Sequence, residues 1–368
     1  MRIFTTLPQQ DLRKVGPAAQ AIEAAGYTGV STQENKHDPF LALAVAGVAT
    51  ERIELHTGVA ISFARSPMVC ANIGWDLAAS TGSRFTLGLG SQIRAHNEKR
   101  FSVPWSAPAP RMREYVQAVR AIWAAWKGDG KLAYEGKHYR FTLMTPNFVP
   151  EPYDGPAPRI GIAAVGPAMM KVAAEECDGV KLHVFCTRKY LEQKIQPILA
   201  EGLAKAGRAR ETFDISGGGF VVTGKDDEAV AKLFDWVRYR VAFYGSTPSY
   251  WPVFEEHGLG DLGRQLNAMT KAGQWHEIAA QVSDDVVHLF AAVGRHDQIA
   301  KAIEVRFGGL VDSISASANS SKPSDLPPGL IRDIARTEQS RATWRPRRKA
   351  GAFLFRRGQT VGLPSANS

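Results

Sequence analysis

Four polar residues stand where this chain could do chemistry: Glu34 and Asn35, at the end of one apolar segment, His96 after a second, and His183 closing a third. A histidine is the commonest general acid or base near neutral pH, and a carboxylate can take the same role. A single exposed His or Glu is, as a rule, only a loop residue, so these four gain meaning only if the fold brings them to one place. Around them lie small-residue stretches that let a ligand approach backbone: Thr57-Gly58-Val59, Gly88-Leu89-Gly90-Ser91 and Ala163-Ala164-Val165-Gly166-Pro167. The last reads as a turn into a helix N-terminus, whose free N–H groups can hold a phosphate, or as a plain tight turn. Gly88-Leu89-Gly90 lacks the third glycine of a dinucleotide fingerprint, where Ile93 stands, and no helix opens directly behind it. The pattern reads better as backbone approaching a flat ligand at a strand end, where a Cβ would collide.

The elements that must position these residues alternate. Apolar–polar alternation marks strands at Arg2–Leu7, Tyr27–Thr32, Arg52–Val59, Phe85–Leu89, Arg159–Ala163, Gly179–His183, Phe213–Val222 and Leu310–Ile314. Amphipathic helices fill the gaps, such as the one opened by Ser66-Pro67 and the one carrying Met112, Val116, Val119 and Trp123. A small hairpin is expected within Leu132–Phe141, and Asp284–Phe307 reads as helical. Eight strands alternating with helices predict a (β/α)8 TIM barrel, with insertions after strands 4 and 7; an open doubly wound sheet is the runner-up. In such a barrel all the strand-end residues named above face one mouth.

Composition removes several function classes. No run approaches the length of a membrane span, and Met1-Arg2-Ile3-Phe4 leads into a strand and not into a signal segment. Cys70, Cys177 and Cys186 are odd in number and far apart, which points to buried thiols in a reducing cytoplasm. No metal-ligand spacing, serine-hydrolase elbow or P-loop occurs. Of the net charge of +9, residues 316–368 supply +7, from ten Lys/Arg and three Asp/Glu, so residues 1–315 carry +2. We read 1–315 as one domain and the Ser-, Pro- and Arg-rich 316–368 as a disordered, solvated tail. The tail as a nucleic-acid contact is the weaker reading, because only Trp344 and two phenylalanines are present to stack bases.

Taken as a set, Glu34-Asn35, Asp38-Pro39-Phe40, Thr50-Glu51-Arg52-Ile53, Thr57-Gly58-Val59 and Arg84-Phe85-Thr86-Leu87-Gly88-Leu89-Gly90-Ser91 resemble the luciferase-like monooxygenase superfamily. Gln92-Ile93-Arg94-Ala95-His96, Pro104-Trp105, Pro110-Arg111-Met112-Arg113-Glu114 and Leu143-Met144-Thr145-Pro146 resemble its coenzyme F420-dependent oxidoreductase branch. The resemblance spans roughly residues 1–315. It implies a TIM barrel with a deazaflavin or flavin ring against a bulge after strand 3, whose cis peptide would fall at Gly58-Val59. Cofactor contacts would then come from Thr57, Gly58, Val59, Gly88, Gly90, Ser91 and Gln92, with the phosphate on Ala164, Val165 and Gly166 and a polar contact from His96. Where relatives commonly carry an acidic residue followed by His, this chain has Glu34-Asn35; sugar-phosphate dehydrogenases of the superfamily carry a Glu where Ile93 stands here. The implied activity is hydride transfer between F420 and a small organic substrate in a mostly apolar pocket, with Glu34, Asn35, His96 and His183 as candidate catalytic residues. The alternatives are a reduced-FMN monooxygenase and a catalytically degenerate flavin-binding barrel. A homodimer is what the resemblance adds about assembly.

Overall fold

The computed structural model describes residues 1–317 and 323–337. Eight parallel strands close into a barrel: β1 (Arg2–Thr5), β2 (Gly29–Thr32), β3 (Glu54–Thr57), β4 (Phe85–Gly90), β5 (Arg159–Ala164), β6 (Gly179–Leu182), β7 (Asp214–Gly217) and β8 (Ser313–Ser315). Pairing runs β1–β2–β3–β4–β5–β6–β7–β8–β1, and the β3–β4 pair at Leu55–Phe85 and His56–Thr86 completes the ring. Outward-facing Ile3, Val30, Leu55, Leu87, Ile160, Ile162, Val180 and Ile215 are buried beneath the surrounding helices. The alternate positions, Ser31, His56, Gly88, Gly161, Ala163, Lys181 and Ser216, line the interior. Barrels of eight strands usually fill this space with branched apolar side chains. Here small and polar residues leave a cavity of about 1040 Å³.

Local signals set the helix starts. Asp38 accepts from the Phe40 and Leu41 N–H groups to open Pro39–Ala49, and Ser66 accepts from Met68 to open Pro67–Ser80. Both expected insertions are present. After β4, residues 94–158 include the long helix Pro108–Trp126 and a small hairpin pairing Tyr134–Glu135 with Arg140–Phe141. After β7, the Gly217-Gly218-Gly219 run takes φ of 87°, 92° and 159°, which breaks the expected Phe213–Val222 strand. The chain restarts as a strand at Phe220–Gly224, outside the barrel, and pairs in parallel with Ala291–Arg295. Asp284–Phe307 is therefore not one helix. Helix ends at Phe290, and Ala291, Ala292 and Val293 are drawn into register with Phe220, Val221 and Val222.

The described part of the tail also corrects the sequence reading. Pro328–Arg336 is a helix, and its stripe of Leu330, Ile331 and Ile334 is buried against the body near β1. The Met1 ammonium donates to the carbonyls of Ala335 (2.7 Å) and Thr337 (3.0 Å). The packed chain thus extends beyond 315, because three apolar residues at helical spacing have a face to bury. The rest of the tail expectation, at 318–322 and 338–368, lies outside the described residues. Among the described residues no helix is long and apolar enough to cross a membrane.

Candidate active site

The cavity opens at the C-terminal ends of the strands, and a bulge after β3 forms one wall. Gly58-Val59 is a cis peptide. Six hydrogen bonds pin the segment around it. The Gly58 N–H donates to the Thr32 carbonyl (2.6 Å), and Thr57 Oγ1 both donates to the Gly88 carbonyl (2.7 Å) and accepts from its N–H (2.8 Å). The Ser62 N–H and Oγ donate to the Gly90 carbonyl at 2.9 and 3.0 Å. On the other side, Glu34 Oε2 accepts from the Ile61 N–H (2.6 Å) and from Arg65 Nη1 (2.6 Å). Arg65 is held in turn by Asp38 (3.1 Å) and lies over the Phe40 ring.

This geometry revises why two glycines are needed. A Cβ on Gly88 would strike the carbonyl oxygen of Thr57, and one on Gly90 would meet Val59 Cγ2 at 2.5 Å. These collisions with the neighbouring strand end and bulge require glycine at both positions, in addition to the ligand approach expected from the sequence. Gly166 is different: it caps the helix Pro167–Glu176, and nothing lies within 4 Å of a Cβ built there.

Thr57, Gly58, Val59, Gly88, Gly90, Ser91, Gln92, Ala164, Val165 and Gly166 all line this one cavity, as do Glu34, Asn35 and His183. His96 does not. It sits exposed on the short helix Arg94–Lys99, whose inward face carries Asn97. Asn97 is fully buried and donates to the carbonyls of Ser91 (2.9 Å) and Ile93 (3.0 Å). One residue is about 100° around a helix, so placing Asn97 inward turns His96 to solvent. Glu34 is an anchor: its acceptor oxygen is shared by the bulge and an arginine. The Asn35 side chain donates to Gln33 Oε1 (3.0 Å), while its carbonyl accepts from Arg100 (2.6 Å). Of the aromatics in the segment after β7, Tyr250 lines the cavity, whereas Phe254 is fully buried in the core and Trp251 Nε1 donates to the Gly245 carbonyl.

His183 points into the mouth against Tyr244 (ring centroids 4.5 Å, perpendicular) and Tyr250 (4.7 Å). Its Nδ1 accepts from the Phe185 N–H (3.0 Å), so the neutral ring carries its proton on Nε2. Burial, and after it the charge of Arg240, push this histidine down to about 4 from its ordinary 6.5. Between those values the unfolded chain takes up a proton that the folded one refuses, so stability is lost as pH falls from 6.5 towards 4. His183→Gln removes that dependence. Between pH 7 and 4.5 the wild type should lose of the order of 2 kcal/mol more than the variant, at ~1.4 kcal/mol per unit. Thermal melts of both proteins at the two pH values test this, and parallel pH curves would refute it.

Two cations that line the cavity stood out only in the structure. Lys181 lies two residues before His183, hence on the same strand face, which is the signal that could have found it. Burial alone lowers it to about 8. Arg240 lies over the rings of Trp236, Phe243 and Tyr244 and donates to the Tyr244 hydroxyl. Neither has a carboxylate partner among the described residues. The lining carboxylates are all engaged: Glu34 by Arg65, Asp178 by Arg120 and Arg208, and Asp214 by Arg2. Deeper still, burial raises Glu54, but His56 (3.2 Å) and Arg2 (2.8 Å) outweigh it and hold it at about 2. The free charge of the cavity is therefore positive, which suits an anionic ligand.

The family model for luciferase-like monooxygenases matches residues 2–313. An uncharacterised protein of Mycobacterium tuberculosis is 45% identical over 314 residues, covering 85% of this chain and 92% of that one. A 5,10-methylenetetrahydromethanopterin reductase of Archaeoglobus fulgidus is 29% identical over 300 residues, covering 79% and 85%. Among solved structures, the coenzyme F420-dependent tetrahydromethanopterin reductase of Methanopyrus kandleri superposes with a TM-score of 0.71 at 20% identity, covering 92% of this chain and 98% of that one. A family match across most of the chain, joined to a closed barrel with its cavity at the strand C-termini, places this protein in the luciferase-like monooxygenase family.

Proposed function

We propose that this protein transfers hydride between coenzyme F420 and a small organic substrate. The observation that carries this reading is the pairing, within one cavity, of a pinned bulge at Gly58-Val59 with an uncluttered helix N-terminus at Gly166. A flat ring needs the first, and a phosphate the second. The surplus of positive charge fits a cofactor that is itself anionic, and the reductases among the relatives support the choice of F420.

When bound, the deazaflavin would supply the hydride chemistry, and the protein's part is position and electrostatics. Ala164, Val165 and Gly166 would hold the phosphate. Thr57, Gly58 and Val59 would back the ring, with Gly88, Gly90, Ser91 and Gln92 closing the strand-4 side. His183 Nε2–H, framed by Tyr244 and Tyr250, would donate a hydrogen bond to a substrate oxygen. Glu34 and Arg65 would keep the bulge in shape and take no proton, and His96 has no place in this arrangement. The aromatic wall suits a substrate with an apolar body.

The test is a titration of the purified protein with F420 and, separately, with FMN, followed by cofactor fluorescence. We expect saturable binding of F420 with a preference over FMN of tenfold or more. Preference for FMN would replace this reading with a reduced-FMN monooxygenase, and binding of neither would favour a degenerate barrel.

A further inference from the structure

β6 stands three places round the closed ring from β3, with β5 and β4 between them along the sheet. Lys181, on β6, nonetheless brings its ammonium against Gly58 after β3: a Cβ built on Gly58 would collide with Lys181 Nζ and lie 3.1 Å from Ser31 Cβ. The side chain therefore spans the barrel and floors the cavity, its charge ending beside the bulge. Among the described residues no carboxylate, carbonyl or hydroxyl is hydrogen-bonded to it, and burial is the sole influence on its proton. Methionine, nearly as long, would fill most of the same gap without desolvating a charge. The three carboxylates that line the cavity are committed to arginines, so none of the described residues supplies a counter-charge.

We infer that Lys181 is the counter-charge for the negative ring formed when the cofactor accepts hydride. This rests on the deazaflavin reading above. With an alcohol as donor, the C–H bond breaks and its hydrogen leaves with both electrons for the ring, the C=O bond forms, and the hydroxyl proton passes to solvent. The alcohol is oxidised and the ring reduced. A neutral ring that gains hydride carries one extra negative charge, and an ammonium beside the bulge stabilises that form over the oxidised one. Charge placed close to the ring is one of the means by which a protein tunes such a cofactor.

Lys181→Met and Lys181→Arg test this in the full chain. Oxidised and chemically reduced F420 are titrated into each, with FMN in parallel, and the ratio of the two dissociation constants is the readout. For Lys181→Met we expect reduced F420 to bind at least tenfold more weakly, while the oxidised form changes less than threefold. For a two-electron couple this lowers the midpoint potential of the bound cofactor by ~30 mV per tenfold. Lys181→Arg should keep the wild-type ratio. Melting at pH 7 should show Lys181→Met at least as stable as the wild type, since it removes a desolvated charge. Equal change in both redox forms, or in neither, overturns the role of Lys181 and leaves the cofactor reading standing. A wild type that binds neither form of either cofactor overturns both.

Discussion

Replacing Glu34 with alanine should destabilise the protein by about 3 kcal/mol and abolish cofactor binding together with it. The carboxylate is 9% exposed and its partner Arg65 is 17% exposed. Removing one member of a largely buried pair leaves the other charge uncompensated, at roughly 3–5 kcal/mol. Asp38 still engages the guanidinium, which places the effect at the lower end. The Ile61 N–H is orphaned too, and Ile61 follows the bulge that would back the ring. A fall in melting temperature of several degrees, with loss of F420 quenching, is the expected result. Glu34→Gln separates anchor from acid, since it keeps an acceptor oxygen and loses the charge. An anchor predicts that stability and cofactor affinity fall in step, by less than in the alanine variant. If turnover vanished while melting and affinity stayed at wild-type values, Glu34 would be the proton donor and the anchoring role would fail.

That distinction could not be drawn from the sequence, and the reason is general to this site. Alternation within each segment set the barrel, because a strand records its own two faces locally. Relations between segments are not recorded so. Glu34 looked like a strand-end acid until Arg65 and Ile61, 31 and 27 residues away, were seen to occupy it. His96 and Asn97 are adjacent in sequence, and only the docked phase of a six-residue helix decides which one turns inward. Lys181 sits in a strand whose pattern predicts its face but not that its stem crosses the barrel. The strand at Ala291–Arg295 depends on pairing with Phe220–Gly224, some 70 residues earlier, and the helix Pro328–Arg336 hides in a segment whose overall composition reads as solvated. The glycines were found at the right places for a reason that proved incomplete.

Gly88 and Gly166 turn that last point into a measurement, because the two glycines are needed for different reasons. Gly88→Ala puts a methyl into the Thr57 carbonyl, and neither side can yield easily. The obstacle is backbone, and the Thr57 hydroxyl is bonded to both backbone groups of Gly88. Relief requires β3 and β4 to part where the barrel closes, at about 3 kcal/mol or more, beyond the usual range for one added methylene because no side chain can rotate away. The folded yield should drop, and what folds should melt several degrees lower and bind neither F420 nor FMN. Gly166→Ala adds its methyl to open space at an ordinary φ of −87°, so its melting should stay within ~0.5 kcal/mol of wild type. If a phosphate approaches the Ala164–Gly166 backbone, the same methyl obstructs it and F420 affinity should fall at least tenfold. The pair thus separates a glycine that the fold requires from one that a ligand requires. Two variants of equal stability would show that the bulge yields more readily than its hydrogen bonds imply. Unchanged F420 affinity in Gly166→Ala would move the phosphate site elsewhere on the barrel mouth.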